Sequence, residues 1–96
     1  MLEKDYQQKI IRRLKQSFPG AIVIKNDPTL HQGLPDLLVL LGKKWASLEV
    51  KRSKNASRRP NQEHWVMKMK EMSYSSFIYP ENEEEVFNEL EQALQA

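Results

Sequence analysis

The chain contains no cysteine, which excludes a disulfide framework and any thiolate metal site. It also lacks a long hydrophobic run. The longest, Leu37 to Leu41, is far too short to cross a bilayer. The opening residues, MLEKDYQQKI, are charged and lack the apolar stretch of a secretory leader, so the expected setting is the cytoplasm. Basic residues are missing from one region altogether. Residues 71–96 hold no Lys or Arg and 7 Glu, a local charge of −7, whereas residues 1–70 hold all 15 Lys and Arg against 6 Asp and Glu, a charge of +9. The overall charge of +2 therefore conceals a basic body. That is the electrostatic footprint of a phosphate-backbone binder, although a solvated surface with chance segregation gives the same count.

What is present describes an ordinary globular chain. Hydrophobic residues make up 40% and charged residues 29% of 96 positions, which predicts a single α/β domain over 1–96 with a modest core. Oligomerisation is a natural way to add buried area to such a chain. Leu2, Tyr6, Ile10, Leu14 and Phe18 recur every fourth residue, predicting an amphipathic helix over 2–17 that ends at Pro19-Gly20. Short β-branched and apolar segments predict strands over 21–25 and 36–41, the second apolar on both faces and therefore central. A turn over Gly42 to Lys44 leads to a third strand over 45–51. Pro60 suits the first turn of a helix whose apolar face comprises Trp65, Met69 and Met72, with Val66 beside them. Tyr74 to Tyr79 reads as a fourth strand. Asn82 followed by Glu85 resembles a capping box for a last helix carrying Val86, Phe87, Leu90, Ala93 and Leu94. The strand-helix-strand step requires a crossover, so the four-stranded sheet is expected to be mixed.

The third strand carries the chemistry. Alternation sends Ala46, Leu48 and Val50 to one face and Trp45, Ser47, Glu49 and Lys51 to the other. If residues 41–44 form the connection, Leu40 pairs with Trp45 and Asp36 falls opposite Glu49, within roughly 5 Å. A one-residue slip would send Asp36 to the other face. Two close carboxylates resist ionising together, and a hard dication such as Mg²⁺, which accepts one or two carboxylates and keeps several waters, relieves that repulsion. Such an ion can activate water and neutralise phosphoryl charge, while Lys51 supplies a compact positive charge. Each piece also has a plainer reading. Glu-x-Lys on a strand is often a surface ion pair worth about 0–1 kcal/mol, and Asp after Pro is often a turn residue.

Pro35-Asp36 followed by Glu49-Val50-Lys51 resembles the PD-(D/E)XK nuclease motif. The wider pattern, Gly33-Leu34-Pro35-Asp36-Leu37, then Leu48-Glu49-Val50-Lys51, then Gln62 opening a helix, is similar to a VRR-NUC domain of the small stand-alone type found in phages and bacteria. The resemblance covers nearly the whole chain. It implies a restriction-endonuclease-like α-β-β-β-α-β core with helices flanking the sheet. It also implies Asp36, Glu49 and the Val50 carbonyl as ligands for Mg²⁺ or Mn²⁺, Lys51 as the catalytic lysine, and Glu3 and Gln62 as further active-site residues. Its stand-alone members resemble Holliday junction resolvases, which implies a homodimer hydrolysing phosphodiester bonds in branched DNA. No membrane and no organic cofactor are expected. The chain ends soon after the core, so shape recognition by a dimer is expected rather than sequence reading.

Arg52, Lys54, Arg58 and Arg59 flank Lys51 and can clamp phosphates or simply form a solvated basic loop. Lys25 and His31 lie along the approach to Asp36, with His31 read mainly as a loop residue. Glu3 can favour its helix N-terminus, and Gln62 can be an ordinary helix residue. Trp45 can stack a base or occupy a core, edge or interface position. The Glu81 to Glu91 run reads as a solvated helix face. The rival functions are a general nicking or restriction-type nuclease, a non-catalytic DNA-binding module, and a protein-interaction module using the acidic last helix.

Overall fold

The computed structural model describes residues 1–27 and 32–95. Helix α1 (Glu3–Ser17) precedes strands β1 (Ile22–Lys25), β2 (Leu37–Leu41) and β3 (Lys44–Val50). Helix α2 (Pro60–Met72), strand β4 (Tyr74–Ile78), a 3-10 turn (Pro80–Asn82) and helix α3 (Glu83–Gln95) follow. The four strands lie in the order β1-β2-β3-β4. The first three are antiparallel neighbours, and β4 joins β3 in parallel after α2 has crossed over. The expected mixed α/β sheet is therefore present, with β2 internal. No described helix is long and apolar enough to cross a membrane.

The β2–β3 hairpin fixes the register on which the site depends. Leu40 pairs with Trp45, as anticipated, and Leu37 with Leu48, but Leu41 also pairs with Lys44. The connection is thus the two residues Gly42-Lys43 rather than four. Gly42 takes φ +62°, a conformation that glycine adopts at the first position of tight hairpin turns whose twist matches the strands.

One face of the sheet is an apolar core. Leu37, Val39, Ala46, Leu48 and Val50 are fully buried there with Tyr6, Ile10 and Leu14 of α1 and Leu90 of α3. Phe18 at the end of α1 stacks on Phe87 of α3, with ring centroids 6.3 Å apart. A polar link ties the same two helices. The Tyr6 hydroxyl donates to Glu83 Oε1 at 2.9 Å, and Arg13 bridges Glu83 and Glu84. Burial, reinforced by the bond to Glu83, pushes the Tyr6 phenol above its usual range.

Three sequence expectations change here. The acidic run is not merely a solvated face: Glu83 is buried, and Glu89 accepts from the Tyr74 hydroxyl at 2.6 Å. Asn82 does not form a box with Glu85. Its side chain instead accepts from the Tyr79 N–H and donates to the Phe77 carbonyl, closing the 3-10 turn that Pro80 opens. Met72 is 63% exposed, because α2 reaches its last residue there; Val66 is the residue of this helix that is buried, with Trp65 and Met69 partly covered.

Candidate active site

Helix α2 lies across the other face of β3, and that face is polar yet closed. Ser47, Glu49 and Lys51 are 1%, 2% and 7% exposed, so the alternation inferred for β3 holds while both of its faces are covered. Ser47 donates to Ser75 of β4 at 2.8 Å. Further along, the Gln62 amide sits between the two charged residues. Its Nε2 donates to Glu49 Oε2 at 3.1 Å, and its Oε1 accepts from Lys51 Nζ at 2.9 Å and from the Arg59 N–H at 3.0 Å. One side chain therefore caps the first turn of α2, orients a carboxylate and holds an ammonium. Among the described residues no buried side-chain polar atom lacks a partner, as buried polar groups require.

Asp36 enters from the start of β2. Its Oδ2 accepts from the Val50 N–H at 2.9 Å, and its side chain reaches that of Glu49. The hairpin register explains the meeting. Leu37 faces Leu48, so the next step places Asp36 opposite Glu49. A further step places Pro35 opposite Val50, where a ladder would normally exchange two hydrogen bonds. Proline has no N–H and cannot donate to the Val50 carbonyl, while the Val50 N–H is taken by Asp36. In a strand the N–H and C=O of one residue point the same way, so the Val50 carbonyl is directed to the Asp36 side.

The electrostatics follow from this packing. Glu49 is pushed up to about 9, first by burial, then by the negative charge of Asp36 and the hydrogen bond to it. Lys51 opposes the shift, and Glu3 on α1 adds to it. A buried carboxyl beside a second one favours its protonated form. The donor set fits a hard dication: two carboxylates, a backbone carbonyl on the same side, and space for water. Among the described residues no group of three or more His, Cys, Asp or Glu is arranged to hold a metal ion.

The cleft is a cavity of about 130 Å³ lined by Gly33, Asp36, Glu49, Arg59, Asn61 and Gln62, among others. Asp36, Glu49, Lys51, Gln62 and the Val50 backbone thus converge, with Glu3 near enough to influence Glu49. The candidate phosphate contacts separate. Arg59 lines the cleft. Arg58 turns instead over the Phe77 ring at 3.9 Å, and Arg52 and Lys54 are exposed. The Lys54 N–H donates to Glu81. Lys25 pairs with Leu37 and so shares the α1 side of the sheet, away from Glu49. His31 lies outside the described residues.

Asn61 was not anticipated. A Cβ on Gly33 would lie 2.8 Å from the Asn61 carboxamide, and Gly33 has φ +87°. Glycine is required there both for its backbone and for the close approach of α2 to the loop before Asp36. Gly33 was legible as part of the motif, but its contact was not.

No family model matches the sequence, and no curated protein matches it. Solved structures do. One described as "VRR_NUC domain" has a TM-score of 0.65 and 26% identity over 80% of this chain and 82% of its own. Another, described as "VRR_NUC domain protein", has a TM-score of 0.68 over 99% of this chain and 89% of its own; at 13% identity it speaks to the fold. The class these findings define is a nuclease-type α/β domain. More particularly, they support a VRR-NUC domain in this chain, and the PD-(D/E)XK superfamily is consistent with that name.

Proposed function

We propose that the protein is a Mg²⁺- or Mn²⁺-dependent endonuclease that hydrolyses phosphodiester bonds in branched DNA, such as Holliday junctions, and works as a homodimer. The observation that carries this reading is the convergence of Asp36 and Glu49 in one cleft with the buried Lys51 held beside them by Gln62. Asp36, Glu49 and the Val50 carbonyl would hold the cation. When bound, that ion would lower the pKa of water and stabilise phosphoryl charge.

The chain's own groups do the rest. Lys51 presents an ammonium, fixed through one of its three donors, to orient the attacking water or to meet charge developing on the phosphate oxygens. Water forms a new P–O bond as the bond to the leaving sugar oxygen breaks. Gln62 keeps Lys51 and Glu49 in their relative positions. Glu3 adds negative potential near Glu49. Arg59, at the cleft, meets the phosphate backbone, and Arg52, Lys54 and Lys25 add long-range attraction from exposed positions. A branched substrate accords with a basic body and a small fold, and a dimer would present two clefts to opposed strands.

The test is cleavage of a labelled four-way junction beside matched linear duplex and single strand, at varied Mg²⁺ and Mn²⁺, with Asp36→Ala and Lys51→Ala in parallel. Paired symmetric nicks in the junction alone, lost in EDTA and in both variants, are expected. Metal-dependent cutting of every substrate would retain the nuclease and remove the junction specificity. Tight binding without cleavage under either metal would overturn the enzymatic reading.

A further inference from the structure

Two cavities flank the first turn of α2, and neighbouring residues divide between them. Arg59 and Gln62 line the cleft containing Asp36 and Glu49. Arg58 and Glu63 line a second groove of about 390 Å³ between α2 and β4, together with Lys70, Phe77 and Tyr79. Residues adjacent in sequence therefore open into different cavities on either side of the start of α2.

The groove has a built platform. Arg58 Cζ lies 3.9 Å from the centre of the Phe77 ring and 5.9 Å from that of Tyr79. The ring contact holds the guanidinium in place, and Arg58 remains exposed. Among the described residues neither Arg58 nor Lys70 has an acidic partner within ion-pair distance. A guanidinium supported on one face by an aromatic ring offers its other face for stacking and its edge for hydrogen bonds. Exposed nucleobases stack on such planes. The volume falls at the small end of ligand sites, with room for one nucleotide. Glu63, the acid on the lining, can accept from an exocyclic amine as carboxylates do from bases, which favours adenine, cytosine or guanine over thymine.

We propose that this groove is a nucleotide subsite, taking one deoxynucleotide of the strand that leads out of the cleft, with its base stacked on Arg58 and its phosphate toward Lys70. The place of the subsite along a substrate strand rests on the nuclease reading. Its ability to bind does not, and the two are tested separately.

The experiment is a titration of the metal-free protein with tetradeoxyadenylate, and separately with inorganic phosphate, following the Phe77 and Tyr79 ring signals by NMR. Saturable ring shifts with the tetranucleotide are expected. The affinity should fall about tenfold in Arg58→Ala, the usual scale for loss of a stacked base. Arg58→Lys, which keeps the charge and loses the plane, should fall nearly as far. Asp36→Ala, altered only in the cleft, should retain the shifts. Unchanged affinity in Arg58→Ala, wild-type binding by Arg58→Lys, or the same shifts from phosphate alone would each overturn the proposal. Absence of DNA cleavage by the wild-type protein would count against the nuclease reading and leave this titration intact.

Discussion

On the α1/α3 side of β3, Ala46, Leu48 and Val50 are fully buried among apolar side chains. On the α2 side, Ser47, Glu49 and Lys51 are buried almost as deeply, and all three are polar. Burial therefore has opposite meanings on the two faces. Apolar area removed from water stabilises at about 25 cal/mol per Å². A buried carboxyl or ammonium opposes folding unless it is paired. The first face holds the protein together. The second is held in place by it, through the Gln62 amide and the Asp36–Val50 bond, and keeps charge out of bulk water.

Substitutions on the two faces should separate activity from stability. The largest expected effect is on the polar face: Lys51→Ala should lower single-turnover cleavage of the preferred DNA by about 10²–10³-fold, the scale for loss of one transition-state electrostatic contact, with near-native thermal unfolding. On the apolar face, Leu48→Ala should cost about 2–5 kcal/mol in denaturant unfolding. Its cleavage rate, measured well below its melting temperature, should stay close to wild type. A Leu48→Ala variant that is stable but inactive would break the distinction.

Protonation sharpens the same contrast. Glu49 has its folded pKa raised to about 9 from an ordinary value of 4.5, so between those values the folded state binds more protons than the unfolded chain. The Glu49 contribution to stability of the metal-free protein should therefore be fully present at and below the lower value and fall as pH rises through this window, with a limiting slope of about 1.4 kcal/mol per pH unit. Glu49→Gln should flatten that dependence, and added Mg²⁺ should oppose it by displacing the proton. A melting temperature that rises with pH from 5 to 8, and does so equally in Glu49→Gln, would contradict the assignment. The smallest effect is expected at the cleft wall. Gly33→Ala places a Cβ 2.8 Å from Asn61 at φ +87°, a strain of about 1–2 kcal/mol from the backbone alone. Adding Asn61→Ala removes the carboxamide contact but keeps the Asn61 Cβ 3.0 Å away, so it should recover only part of the steric cost and none of the backbone cost, as a double-mutant cycle in unfolding free energy would reveal.

The fold was readable because its signals are local. The four-residue spacing of α1, the β-branched run of β1 and the proline that opens α2 each act within a few residues. The meeting of Asp36 and Glu49 was readable because hairpin register converts spacing into opposition: once Leu40 faces Trp45, Asp36 must fall opposite Glu49. What escaped was set by packing between distant segments. Nothing near Arg58 in sequence announces Phe77, and nothing near Gly33 announces Asn61. The burial of Glu83 depends on Tyr6 and Arg13 from the opposite end of the chain. The two-residue turn was missed because Leu41 and Lys44 differ in character yet still pair.

The tight turn at Gly42-Lys43 has a consequence for chain entropy. It brings Asp36 to Val50 over a separation of 14 residues, and Gln62 reaches Glu49 and Lys51 over 13 and 11. These links therefore all close loops of similar, short length, and short closures cost less entropy than long ones. The cleft is written into one stretch of chain, from Asp36 to Gln62.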